Sequence, residues 1–409
     1  MNKFKSLLLG TAAAAIAATG AQAADAPMGR EPVYRCDITG FIELPGTNIC
    51  FKVGGFARLI VWGANEDAGT VEPVEGDALG GDDFGMYAQG RLNFDARRST
   101  DHGTVRAFVE VQATDNNSNT GGALQLRHAF AQLGNWVFGK TSSTFLHGAS
   151  SANGTDPTIT GHTIRINQIR YTHSIGNGLT VAVAIEDQAY ENTRTTTSIS
   201  TTAVNTTNVG FTPGNGGSGE NNLPNFVANI HYSNGGWDTQ LSGVLHQNEF
   251  GDGTDELGYG ILLGIAGELT DQLNLIAKIG YFHANPSYAF DFFSGGTNTG
   301  DDYDQFGIVG GVAYEVSDEV TFQLAGFWGT ADNNNNTVGA IPAPATVSGT
   351  GTNAVTAVDH DLWGASALIS WRPVGGFEFL GELMYRNTDP AVGADTDEVI
   401  GVFSAAASF

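Results

Sequence analysis

The chain has 409 residues, a formal net charge of −25, 56 glycines and 35 Phe and Tyr residues against 12 prolines. So acidic a chain lacks the basic footprint that nucleic-acid binding demands. Gly, Asn and Thr are too frequent for a helical protein, and after residue 23 no run approaches the roughly 18 apolar residues of a membrane helix.

In chain order, the first element is a leader. "MNKFKSLLLGTAAAAIAATGAQA" joins a basic start (Lys3, Lys5) to a Leu/Ala run and ends on Ala21-Gln22-Ala23. This is the pattern of an export signal over residues 1–23, with a membrane anchor as the weaker alternative because the apolar run is short. Next comes "RCDITGFIELPGTNIC", with both cysteines of the chain, Cys36 and Cys50. An exported chain meets an oxidising compartment, which favours a bridge over two free thiols or half of a metal site. The segment 24–50 is therefore expected to be a disulfide-looped N-terminal piece ahead of the main domain, 51–409.

From Phe51 onward the chain breaks into sixteen alternating runs. They fall near 51–62, 84–98, 103–114, 123–134, 135–141, 165–174, 178–190 and 224–234. The rest fall near 236–249, 256–270, 271–285, 302–317, 318–331, 359–372, 374–388 and 396–409. "FGMYAQGRLNFDAR" is typical: Phe84, Met86, Leu92 and Phe94 share one face, while Gln89, Arg91, Asn93, Asp95 and Arg97 share the other. Period-two alternation of this kind marks strands that separate two different environments.

The connections alternate short and long. Short ones such as "IGNG" and "NGG" supply the positive φ that tight hairpins require. Long ones span roughly 63–83, 115–122, 142–164, 191–223, 250–255, 286–301, 332–358 and 389–395. The first carries seven acids (Glu66, Asp67, Glu72, Glu75, Asp77, Asp82, Asp83) and no Lys or Arg. Two low-complexity tracts, "NTRTTTSISTTAVNTTN" and "NNNNTVGAIPAPATVSGTGTN", read as surface loops because strand periodicity resumes unchanged on both sides.

A meander whose every other turn is tight is the organisation of a transmembrane antiparallel β-barrel with short periplasmic turns. A soluble sandwich gives the same alternation, so the choice rests on further features. Aromatics gather near turns (Trp62, Trp136, Trp237, Tyr281, Trp328, Trp371, Tyr385), as in interfacial girdles. A sheet in lipid must close on itself to satisfy its backbone. The last strand, "EVIGVFSAAASF", ends on Phe409, the kind of terminal aromatic that barrel-assembly machinery reads. The expected location is the bacterial outer membrane, with its lipid as the first partner.

The residues "YRCDITGFIELPGTNICFKVGGFARL" resemble the N-terminus of the alphaproteobacterial general porins. The likeness lies in Cys36-Asp37, Phe41, Pro45-Gly46-Thr47, Cys50 and Gly55-Phe56-Ala57-Arg58. Weaker likeness continues through "LQLRHAFAQLGNWVFGKTSSTF", "YTHSIGNGLTVAVAIE", "ANIHYSNGGWDTQLSGV" and "RPVGGFEFLGELMY". The resemblance implies a sixteen-stranded all-β barrel, usually a homotrimer, passing small hydrophilic solutes and ions down their gradients. It also implies that the third long loop, "SSTFLHGASSANGTDPTITGHTI", folds inward to narrow the pore, with Asp156 as its one carboxylate.

Cations are scarce, so their placement is informative. Arg58, Arg91, Arg106 and Arg127 fall on the polar face of the first four predicted strands. Lys140 and Arg165 flank the inward loop, and Arg170 follows. Facing Asp156, this set would impose a transverse field on a constriction; the plainer reading pairs the arginines with Asp95 or Glu110. The acidic loops favour cations at the mouth, and a mild cation preference is expected. "GGDDFG" and "GDGTDELG" lack the ligand spacing of a calcium loop. No elbow motif such as G-x-S-x-G and no phosphate loop occurs, so neither enzyme activity nor a cofactor or metal is expected. The rival readings are a lipase-like barrel enzyme and a soluble secreted β-protein.

Overall fold

The computed structural model describes residues 36, 38–65, 84–115, 123–150, 164–187, 223–249, 255–284, 288–290, 303–333, 359–390 and 395–409. The leader, Asp156 and most of the long loops lie outside them. Strand β1, Ile42–Glu43, is a two-residue piece. The barrel begins with β2 (Cys50–Ala64), β3 (Phe84–Thr100), β4 (Gly103–Thr114), β5 (Ala123–Leu133) and β6 (Trp136–Ser142). It continues through β7 (Arg165–Gly176), β8 (Leu179–Glu186), β9 (Asn225–Asn234), β10 (Trp237–Glu249), β11 (Asp255–Glu268) and β12 (Leu273–His283). It ends with β13 (Tyr303–Glu315), β14 (Val320–Asn333), β15 (His360–Val374), β16 (Phe377–Pro390) and β17 (Thr396–Ser408).

Each strand pairs antiparallel with its chain neighbour, and β17 pairs back onto β2, so β2 to β17 close a sixteen-stranded barrel. All sixteen expected strands are present; only β1, which pairs Ile42 with Phe51, was not anticipated. Phe409 completes the seam, its N–H donating to the Gly55 carbonyl at 3.0 Å and its carbonyl accepting from Gly55 N–H at 3.1 Å. Cys36 and Cys50 form a disulfide with their Cα atoms 5.7 Å apart. Tight turns join alternate strands, and one shows why they need glycine. Gly178 has φ +82°, and a Cβ there would stand 2.3 Å from the Ser233 carbonyl oxygen of the next hairpin.

The two faces of the wall differ as the alternation requires. Leu92, Phe94, Ile185, Ile230, Ile261 and Leu383 are all at least 39 % exposed, on the outer face. Each such side chain left in water would forfeit about 1.5–3 kcal/mol of burial, and the wall carries them on nearly every strand. Only a lipid exterior makes that arrangement favourable. The opposite register, including Gln89, Asp95, Gln112, Asn274 and Gln323, faces inward. A barrel of this strand number is wide enough to leave an aqueous lumen.

One aromatic departs from the expected girdle. Trp136, Trp237, Trp328 and Trp371 are exposed outward near turns, with Trp363 added to them, but Trp62 is 2 % exposed and points inward. Its position shares the register of Arg58 and Ile60. Its cross-strand partner is Gly85, where a Cβ would come within 2.4 Å of the indole nitrogen. The glycine opposite leaves room for the ring on the lumen side.

Candidate functional site

The lumen wall formed by β2 to β5 is an arginine ladder. Arg58 donates to Gln89 Oε1 at 2.8 Å, and Arg91 donates to Gln112 Oε1 at 2.9 Å. Both guanidiniums lie over the Phe56 ring, 5.2 and 4.7 Å from its centroid. Lower on the wall, Arg97 and Arg106 each grip Asp95 with two hydrogen bonds of 2.6–3.0 Å. Forked pairing of this kind holds guanidinium and carboxylate planes in fixed orientation. Arg106 also stacks on Phe108 and Phe130.

Arg127 reaches Glu110 Oε1 at 3.0 Å and is 3 % exposed. A bulge falls at this position. The β4–β5 register steps from Glu110↔His128 to Val111↔Leu126, leaving Arg127 as the extra residue. A bulge puts two successive residues opposite one. Arg127 and His128 therefore both face the lumen, while Leu124 and Leu126 before it and Leu133 after it face outward. His128 Nδ1 lies 3.1 Å from Thr141 Oγ1. Among the described residues of this wall, the five guanidiniums and Lys52, which lies opposite Asp95 in the β2–β3 register, outnumber the carboxylates of Asp95 and Glu110, so the described side chains carry net positive charge.

The opposite wall receives the loop. The chain leaves β6 at Ser142 and turns inward over Ser143–Ser150, ending in a single 3₁₀ turn, Gly148–Ser150. Glu186, fully buried at the end of β8, accepts hydrogen bonds from Ser143 Oγ (2.7 Å), the Thr144 N–H (2.7 Å) and Tyr288 Oη (2.9 Å). Asn229 Nδ2 donates to the Thr144 carbonyl at 2.6 Å, and Gln240 Nε2 donates to the Leu146 carbonyl at 3.0 Å. Phe145 fills an aromatic cluster with Phe282 and Tyr288. At its tip, His147 Nε2 meets Asp238 Oδ1 at 2.6 Å, and the same oxygen meets His231 Nε2 at 2.8 Å. Burial holds the His147 imidazole below its ordinary pKa, against the pull of Asp238.

Space for the loop comes from β11, whose inward register is Gly258, Gly260, Leu262, Gly264 and Ala266. A Cβ on Gly264 would sit 2.4 Å from His147 Nδ1 and 2.5 Å from Ser150 Oγ. The small residues form the groove that the loop occupies.

Arg58, Arg91, Arg106 and Arg127 thus converge on one lumen wall. Arg170, in the inward register of β7, lies within electrostatic reach of Glu186 on the loop-bearing side. Lys140 and Arg165 take the other register. Lys140 pairs with Ala129 and Asn167, between the inward Gly139 and Thr141, and Arg165 pairs with Ser142 between buried Ile164 and Ile166. Both therefore stand on the outer face, and the expectation that they belong to the constriction set is corrected. Glu186, Tyr288, His147, His231 and Asp238 escaped the sequence reading. The available signal was the run of polar inward positions on β9 and β10 (Asn229, His231, Ser233, Asp238, Gln240) opposite the glycines of β11.

A closed sixteen-strand barrel with an apolar exterior, a charged lumen and an inward loop defines a transmembrane β-barrel. The chain belongs to the porin family: the model described as Porin subfamily matches residues 25–406, and as a member the protein is an outer-membrane barrel. Porin Omp2b of Brucella melitensis biotype 1 is 34% identical over 203 residues, 44% of this chain and 53% of that protein. Porin Omp2b of Brucella suis is 33% identical over 201 residues, 44% and 51%. The chain spans about half the length of the curated relatives it matches. Among solved structures, the outer membrane channel DcaP of Acinetobacter baumannii has a TM-score of 0.69 at 19% identity, covering 88% of this chain and 98% of that one. The anion-selective porin from Comamonas acidovorans gives 0.56 at 13% identity, covering 88% and 100%. These two likenesses bear on fold alone.

Proposed function

We propose that the protein is a general diffusion porin, a water-filled channel through which small hydrophilic solutes and ions pass down their gradients. The observation that carries this reading is the division of the lumen. Arg58, Arg91, Arg106 and Arg127 line one wall, and a loop anchored by Glu186 and Asp238 narrows the bore from the other. Charges facing each other across a constriction sort ions by field without holding them tightly. The four arginines and Arg170 form the constriction set, to which Asp156, outside the described residues, contributes from the loop.

The family points to a homotrimer, with residues 1–23 acting as an export signal and the disulfide segment 24–50 on the periplasmic side. Selectivity is the balance of two opposing fields, the acidic outer loops favouring cations and the arginine wall favouring anions.

Reconstitution in planar bilayers tests this. The folded protein is expected to give stepwise, non-saturating conductance; well-folded barrels without channel activity would reject the reading. Lipid hydrolysis abolished by a single Ser or His substitution would instead establish an enzyme.

A further inference from the structure

We propose that His147, His231 and Asp238 form a site for a borderline divalent transition-metal ion, for which Zn²⁺ is the test probe. The ligand atoms come from three elements, the inward loop, β9 and β10, and all lie within 4.8 Å of one another. Two imidazole Nε2 atoms converge on one carboxylate oxygen, at 2.6 and 2.8 Å. An ion with bonds of about 2.0–2.2 Å separates tetrahedral ligand atoms by roughly 3.3 Å. The carboxylate contacts must open and the imidazoles close, by shifts that side-chain rotation supplies. Among the described residues no other three His, Cys, Asp or Glu side chains are so grouped.

The surroundings favour nitrogen ligation. His147 is 3 % exposed, and its Nδ1 lies 2.8 Å from Ser150 Oγ, which lies 3.2 Å from the His147 carbonyl oxygen. At 2.6 Å from Asp238 Oδ1, His147 Nε2 carries the proton in the metal-free site and donates it to the carboxylate. On binding an ion the proton shifts to Nδ1 and is donated to Ser150 Oγ, whose hydroxyl proton goes to the His147 carbonyl, and Nε2 is freed as a ligand. His231 likewise moves its proton to Nδ1, so two neutral imidazoles and one carboxylate face the ion. A second-group hydrogen bond that fixes the tautomer is what metal-binding histidines ordinarily have. Imidazole donors select zinc, nickel or copper over calcium and magnesium. The charge of Lys278, which acts on His147, further disfavours a cation held by electrostatics alone. Asp238 stands second in β10, just past the tight turn, and Asp238 and His231 are only partly buried. The site therefore opens to the lumen near the tight-turn end, with coordination positions left for water or a solute. Occupancy would cross-link the inward loop to the β9–β10 hairpin and lower conductance reversibly.

Calorimetric titration of untagged, folded protein with ZnCl₂, and separately with CaCl₂, tests the site without relying on channel activity. The wild type is expected to take up one Zn²⁺ per chain, unaffected by Ca²⁺. His231→Ala or Asp238→Asn should weaken uptake by at least about a hundredfold, and Ser150→Ala by roughly tenfold. Heat-modifiable gel mobility confirms that each variant is folded, and His231→Gln replaces any that is not. Absence of Zn²⁺ uptake by the folded wild type, or uptake unchanged in folded His231 and Asp238 variants, would overturn the proposal. So would competition by Ca²⁺ at equal concentration, since the ion would then sit on the acidic loops.

Discussion

The arginine wall of β2 to β5 and the loop-bearing wall of β8 to β12 belong to one sheet but are built on opposite rules. The first satisfies its charges locally: Asp95, Glu110, Gln89 and Gln112 sit on the same strand as the arginines they hold or on the next one, within a residue or two of register. The second satisfies its polar groups at long range, with Glu186 holding Ser143, Thr144 and Tyr288. A ladder of neighbours lines a pore without obstructing it, whereas distant anchors pull chain across the bore. On the proposed reading, the first wall sets the field and the second sets the width.

The comparison is broken most severely at Glu186. Glu186→Ala removes three charge-assisted hydrogen bonds in a fully buried position, at a cost on the order of 4 kcal/mol. Guanidinium unfolding should show that loss, and single-channel steps should become larger and noisier as Ser143–Ser150 detaches. On the arginine wall, Glu110→Gln removes the carboxylate that the 3 % exposed Arg127 meets at 3.0 Å. A loss of about 3 kcal/mol is expected there, with the loop still in place and the reversal potential in a salt gradient moved toward anions.

Smaller effects separate inner from outer faces. Leu92→Arg places a charge on the lipid side, costing roughly 2–4 kcal/mol if it lies near the midplane. Asn93→Arg, one residue on and facing the lumen, should leave unfolding nearly unchanged. Arg91→Ala removes the stacking on Phe56, about 1 kcal/mol or less, and the hydrogen bond to buried Gln112, about 1–3 kcal/mol. Its clearest readout is the reversal potential, which should move toward cations.

The sequence made the first wall legible and the second only in outline. Alternation assigns Arg58, Arg91 and Arg106 to the lumen because period two is a local property of each strand. Arg127 follows the same rule, alternating with outward Leu124 and Leu126; what no periodicity announces is the bulge there, which turns His128 inward as well. The same local rule puts Lys140 and Arg165 on the outer face, because β6 keeps its register from Trp136 to Ser142. Glu186 and His147 were invisible because their partners lie 42 to 102 residues away. Trp62 misled for a related reason: proximity to a turn suggests a girdle, but the space left by Gly85 decides which way the ring points.

The most direct test places a cysteine at two adjacent positions in a chain whose own cysteines are already bridged. In lipid vesicles, Arg91→Cys should react rapidly with a water-soluble thiol reagent and lose conductance as it does. Leu92→Cys should be inert to that reagent, and a fluorophore attached there before reconstitution should be quenched by brominated acyl chains. Rapid aqueous labelling of Leu92→Cys together with an unreactive Arg91→Cys would mean that the apolar face encloses a dry core, and the account of a water-filled barrel would fail.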